Sequence, residues 1–152
     1  MTIVGDTRYI SDPEFTRKVQ QAVNLLKTRG GVAYGNLIGC VERIRAYDRS
    51  GTDVYASPIT INIAEETFKA SFTWLASVLA HESCHAALFL AGRPHTGRES
   101  EEECNAYQLM ILRQIGGPQG EITHLLNQMK GDHSDLNKDG VYDWQDYQLR
   151  KY

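Results

Sequence analysis

His81-Glu82-Ser83-Cys84-His85 places two imidazoles four residues apart with a glutamate between them. Four residues of α-helix advance about 400°, so the two rings leave one face, a turn apart. That spacing lets both reach one tetrahedral Zn²⁺ at about 2.0–2.1 Å. Glu82 is rotated off the ligand pair, near enough to touch an activated water without ligating. This is the constellation that metal-assisted hydrolysis needs. The alternative is two histidines of an ordinary amphipathic helix beside an incidental glutamate. It fits poorly with a stripe that is otherwise apolar, where unpaired buried imidazoles are costly.

A catalytic zinc needs a third protein ligand and an open position. The metzincin continuation HExxHxxGxxH is excluded, because Leu88 stands at the glycine position and Ala91 at the final histidine. His95 lies beyond the Gly92/Pro94 break and fits no such pattern. Downstream, Glu103-Cys104-Asn105-Ala106 follows His85 after seventeen residues. In His81, Glu82, His85, Glu103 and Ala106 the chain resembles the gluzincin type of zincin metallopeptidase. That family follows HExxH with a second helix carrying Glu-x-x-Ala or Glu-x-x-Ser. The resemblance implies an α+β zincin-like fold, with zinc held by His81, His85 and Glu103. It also implies peptide or amide hydrolysis in which Glu82 passes a proton from water to the leaving nitrogen.

Other readings of these residues stay open. Ser100-Glu101-Glu102-Glu103 is also a capping box, in which Glu103 would reach back to the Ser100 backbone. A run of glutamates at a helix N-terminus favours the macrodipole. Glu99, Glu101 and Glu102 are therefore rivals for the ligand position, and Glu99 or Glu102 could instead orient a ligand histidine. Tyr107, four residues after Glu103 and so on the same helix face, is the candidate donor to a developing oxyanion. A core tyrosine packed between helices is the competing role. The Ile59–Ile63 strand resembles the zincin edge strand that pairs with an extended peptide, though it reads equally as an interior strand. If the two helices meet at the metal, Cys84 and Cys104 could bridge and close a loop of about 20 residues; two buried free thiols are the alternative. Cys40 is then left over. Cys84, about 100° around the helix from His85, is not placed to ligate.

The second metal signal lies near the C-terminal end. Asp135-Leu136-Asn137-Lys138-Asp139-Gly140-Val141-Tyr142-Asp143-Trp144-Gln145-Asp146 reads DxNxDGxxDxxD. Asp135, Asn137, Asp139, Asp143 and Asp146 occupy the oxygen-ligand positions of a calcium loop. Gly140 permits its sharp turn, and Val141 would give a backbone carbonyl. The loop resembles those of EF-hand proteins and, more closely, of dockerin modules, which also close with aspartate. Such modules pair two loops, and one is found here. Asp146 is shorter than the usual glutamate, so modest affinity and a structural staple are expected, with calcium docking Trp144 and Tyr147 onto the body of the protein.

Elements must position these residues. Asp12 and Pro13 open a helix with apolar spacing at Phe15, Val19, Ala22, Val23 and Leu26, ended by Gly30-Gly31. From Val32 to Ile63, β-branched runs at Cys40–Tyr47 and Pro58–Ile63 flank the turn Asp48-Arg49-Ser50-Gly51, which predicts a small, largely antiparallel sheet. Helical periodicity resumes from about Ser71 to Gly92, from Ser100 to Ile115 and from Glu121 to Lys130. Helix, strands, then helices predicts an α+β domain over residues 1–131, with a calcium-binding tail over 132–152 packed on it.

Composition sets the outer limits. The 152 residues are 41% hydrophobic and 23% charged with a net charge of −3, an ordinary globular balance without the basic excess of a nucleic-acid binder. No apolar run approaches the roughly 20 residues of a membrane span. Three cysteines are too few and odd in number for a disulfide scaffold. The expectation is therefore a zinc endopeptidase, with one catalytic Zn²⁺ and one structural Ca²⁺, that acts on peptide or protein substrate. Nucleic acid and membrane are not expected partners, and the oligomeric state is not legible. The rival readings are a calcium-dependent interaction module and a metal-binding zincin without turnover. A modest calcium loop suits millimolar calcium outside cells. With no leader visible, export by another route or excision from a larger polypeptide is expected, a cytoplasmic location remaining open.

Overall fold

The structure is a computed structural model that describes residues 1–131, 136–139 and 144–149. Its elements run β1 (Thr2–Val4), α1 (Asp12–Leu25), a π-helical turn (Leu26–Gly30) and α2 (Val32–Cys40). Then come β2 (Arg43–Ala46), β3 (Gly51–Asp53), β4 (Thr60–Ile63) and α3 (Glu65–Lys69), followed by α4 (Phe72–Leu90), α5 (Arg98–Gln114), α6 (Gln119–Lys130) and α7 (Trp144–Leu149). This is an α+β architecture, and none of the described helices is long and apolar enough to cross a bilayer.

The sheet order is β1-β2-β4-β3. β1 pairs parallel to β2 and β2 parallel to β4, and only β3 runs antiparallel, to β4. The expected largely antiparallel sheet is thus corrected to a mixed one. The reason is topological. Parallel neighbours need a crossover of a dozen or more residues, and α1, the π-helical turn and α2 supply it between β1 and β2. The segment from Val32 held no strand before Arg43 because Val32–Cys40 is helical. Gly35, Gly39 and the β-branched Val32 and Ile38 disfavour a helix intrinsically, but Ala33 and Leu37 bury completely within the core. Tertiary packing overrides propensity there. β4 is buried along its whole length and is an interior strand, so the free edge next to the site belongs to β3.

α4 is the axis of the molecule. It is apolar around most of its circumference, with twelve buried residues from Leu75 to Leu88, as expected of a helix enclosed on several sides. α1, α2 and α5 all pack on it. Its start is well defined, because the Ser71 side chain accepts from the Trp74 backbone N–H at 3.0 Å. α5 begins at Arg98, after Gly97 with φ of 91°, two residues ahead of the expected Ser100. The residues of α5 that turn inward include Cys104, Gln108 and Ile111, and its C-cap Ile115 continues the stripe, all buried, at spacings of four, three and four. Gln108 Nε2 donates to Ser77 Oγ at 3.1 Å, tying α5 to α4 with a buried polar link.

Candidate metal centre

The i, i+4 spacing on α4 brings His81 and His85 together as expected. Their Nε2 atoms stand 3.1 Å apart, and both residues are buried. One carboxylate reaches both rings: Glu101 Oε2 lies 3.5 Å from His81 Nε2, and Oε1 lies 3.4 Å from His85 Nε2. Donors of a tetrahedral ion with bonds of about 2.0–2.1 Å are separated by about 3.3–3.4 Å. The three separations here bracket that value. Among the described residues, this is the group of three His, Cys, Asp or Glu side chains whose donor atoms converge closely enough to hold a metal.

Glu103, expected to be the third donor, is not brought to the histidines. It faces outward and holds Arg93 in a bidentate pair, Nη1 to Oε1 at 3.1 Å and Nη2 to Oε2 at 2.8 Å. The correction has a helical cause. Carried one step toward the N-terminus, the inward stripe Cys104, Gln108, Ile111, Ile115 lands on Glu101 and leaves Glu103 about 200° around the helix. The helical recurrence of Cys104, Gln108, Ile111 and Ile115 is compatible with Glu101 on the inner face, but the choice among the glutamates is made by the packing of α5 on α4. The capping box does not form either, because α5 starts early and Ser100 Oγ donates instead to the Gly97 carbonyl at 3.0 Å. The small residue one turn after the donor is therefore Cys104, fully buried, rather than Ala106, which is exposed. Glu99 and Glu102 join neither imidazole among the described contacts.

The surroundings set the protonation of the cluster. Burial works against a His85 cation, but the Glu101 carboxylate, aided by Glu82 and the His95 carbonyl, lifts the imidazole to about 9. Burial likewise opposes charge on Glu101, yet the hydrogen bonds from His81 and His85 hold it well below the usual carboxylate range. His85 Nδ1 meets the His95 backbone oxygen at 2.8 Å. His81 Nδ1 is buried without a hydrogen-bond partner. Two buried imidazole nitrogens at 3.1 Å, one ring otherwise unpartnered and a carboxylate pinned as the anion form a donor set suited to a borderline cation such as zinc.

Glu82 is buried beside the cluster. The Thr52 hydroxyl, on β3, lies 2.7 Å from its Oε2 and 2.8 Å from its backbone oxygen. A cleft of about 420 Å³ opens onto His81, Glu82 and Glu101, with Trp74, Asn105 and Gln108 in its walls. Tyr107 is not part of that lining. It packs against Cys84, Leu88 and Cys104, and its hydroxyl accepts from Asn36 Nδ2 at 3.0 Å. Burial pushes its phenol up. Tyr107 therefore takes the competing role of a tyrosine packed between helices, and Asn105 takes the place on the cleft wall one turn after Glu101.

Of the calcium-loop residues, Asn137, Asp139 and Asp146 are described. Asp135, Val141, Asp143 and the side chains of Trp144 and Tyr147 lie outside the described residues. Asp146, at the closing position, turns back on the start of the loop: its Oδ1 accepts from the Leu136 N–H at 2.7 Å and the Asn137 N–H at 3.2 Å. Asn137 Nδ2 donates to Asp139 Oδ2 and to Gln145 Oε1, each at 3.1 Å. Comparison with protein-family models, curated proteins and solved structures finds no match to this chain.

Proposed function

We propose that the protein is a zinc-dependent endopeptidase, or a hydrolase of closely related amides, steadied by calcium. The observation that carries this reading is the convergence of His81 Nε2 and His85 Nε2, 3.1 Å apart, on the two oxygens of Glu101 at 3.5 and 3.4 Å, with His81, Glu101 and Glu82 lining one cleft. Zinc held by these three donors would supply Lewis acidity, making water a nucleophile near neutral pH and polarising a carbonyl. Glu82 accepts the proton of the attacking water and delivers it to the leaving nitrogen. Thr52 keeps that carboxylate oriented, since a buried glutamate free to rotate would spend less time aligned with the water. The Asn105 amide, on the cleft wall, donates to the oxygen on which charge develops. An extended substrate pairs along the free edge of β3, beside Thr52, and sets a side chain into the cleft against Trp74 and Val78.

In the same reading Asp135, Asn137, Asp139, Asp143 and Asp146, with the Val141 carbonyl, hold one Ca²⁺ as a structural staple. A loop closed by aspartate suits a calcium-rich setting, which supports a working location outside the cell.

The test is a metal inventory of purified protein together with hydrolysis of a denatured protein substrate, each repeated on Glu82→Gln. About one zinc per chain is expected in both proteins, with turnover lost by a factor of about 10²–10⁴ in the variant. Zinc without turnover in either protein would leave a metal-binding protein that is no enzyme. Calcium binding without zinc would leave an interaction module.

A further inference from the structure

Behind the metal cluster, α4 and α5 meet through two thiols. Cys84 directly precedes His85, and Cys104 follows Glu101 by three residues, so each sulfur shares a helical turn with one of the clustered donors. The two side chains pack on each other and on Leu88, covered by Tyr107. Both are free thiols. Neither lines the cleft. Cys104 is fully enclosed, whereas Cys84 keeps 9% exposure, so an incoming reagent meets Cys84 first. Cys40, at the end of α2, packs against the main hydrophobic core and is not a member of this cluster.

We propose that Cys84 and Cys104 are a thiol–disulfide site that clasps the helix carrying the two imidazoles to the helix carrying Glu101. The co-reactant is a small disulfide such as oxidised glutathione. The Cys84 sulfur attacks it, forming a mixed disulfide and releasing one small thiol. The Cys104 sulfur then attacks the Cys84 sulfur, releasing the second. Two protein thiols are oxidised, one small disulfide is reduced to two thiols, and the two protons leaving the protein go to the released thiolates. The link spans about 20 residues and removes disorder from the unfolded chain. It also keeps the turn of Glu101 against the turn of His85 when no metal bridges them. Peptide-bond cleavage plays no part in forming this link.

The experiment equilibrates the reduced full-length chain over a series of reduced-to-oxidised glutathione ratios, alkylates it and maps the products by mass spectrometry. The expected product is linked Cys84 to Cys104 with Cys40 alone alkylated, about two mass units below a reduced chain bearing one alkyl group. It melts about 6–12 °C above the reduced protein. After loading with zinc alone, it loses the ion to a chelator about tenfold more slowly than the reduced form. Cys40→Ser should behave like the parent, and Cys84→Ser should give no link. Three alkylated thiols at every ratio, glutathione adducts without an internal link, or a link through Cys40 would each overturn the proposal. So would a linked protein that melts no higher than the reduced one. If zinc is not bound at all, the mapping and melting arms still decide the clasp, and the failure belongs to the zinc reading.

Discussion

His85 Nδ1 donates to the backbone carbonyl of His95 across 2.8 Å, joining the metal-cluster helix to the loop that leaves it. A carbonyl can only accept, so this contact puts the proton on Nδ1 and leaves Nε2 as the metal-facing nitrogen. The His95 ring is in turn packed edge-on against Phe89, with centroids 5.1 Å apart, and against Tyr55 at 5.8 Å. Nothing in the HExxH spacing announces this support.

The first prediction follows from that packing. Phe89→Ala removes the ring that seats His95 while leaving every donor in place. Zinc affinity should fall by about 10-fold, at the lower end for support lost behind a ligand. Competition with a chromophoric chelator measures it. Affinity equal to the parent would mean the carbonyl is held by the main chain alone.

The pH dependence of metal binding is the second. With the His85 imidazole lifted to about 9 by Glu101, the metal-free protein carries a proton there at neutral pH. Zinc must displace it, so binding should release about one proton between pH 7 and 8. Apparent affinity should climb about tenfold per pH unit and flatten above about 9. Calorimetry in buffers of differing ionisation enthalpy reads the proton directly. The same linkage governs stability without metal: a raised histidine stabilises fully below its unfolded value of about 6.5, and that contribution is lost as pH rises through about 9. Glu101, held low, adds stability above the ordinary carboxylate range, lost as pH falls through its depressed value.

Third, the two glutamates separate cleanly. Glu101→Gln takes the anion from the cluster and should abolish stoichiometric zinc at micromolar concentration. Glu103→Gln breaks only the exposed pair with Arg93, so zinc content should be unchanged and the melting temperature nearly so. Zinc lost from the second variant and kept in the first would restore the spacing expected from the family resemblance.

Calcium supplies the fourth. With millimolar calcium, limited proteolysis should spare the chain from about residue 132 onward, and a chelator or Asp146→Ala should open it to cleavage. Equal resistance with and without chelator would remove the staple from the account.

What the sequence determined by itself was local. His81 and His85 share a face because helix pitch is the same everywhere. Ser71 opens α4 through a bond to a residue three positions away. The DxNxDGxxDxxD loop carries its own register. Decisions made between elements were not legible in that way. The directions of β1 and β2 depend on a crossover through α1 and α2, and Val32–Cys40 is a helix because α4 offers it a surface. The choice of Glu101 over Glu103 depends on the rotation of α5 against α4. Cys104, Gln108, Ile111 and Ile115 set that rotation by burying one stripe, since a two-residue shift would expose apolar surface and leave Gln108 without Ser77. Spacing along one helix follows from backbone geometry. The meeting of two helices is decided by which faces lose water together, and only the folded chain specifies that.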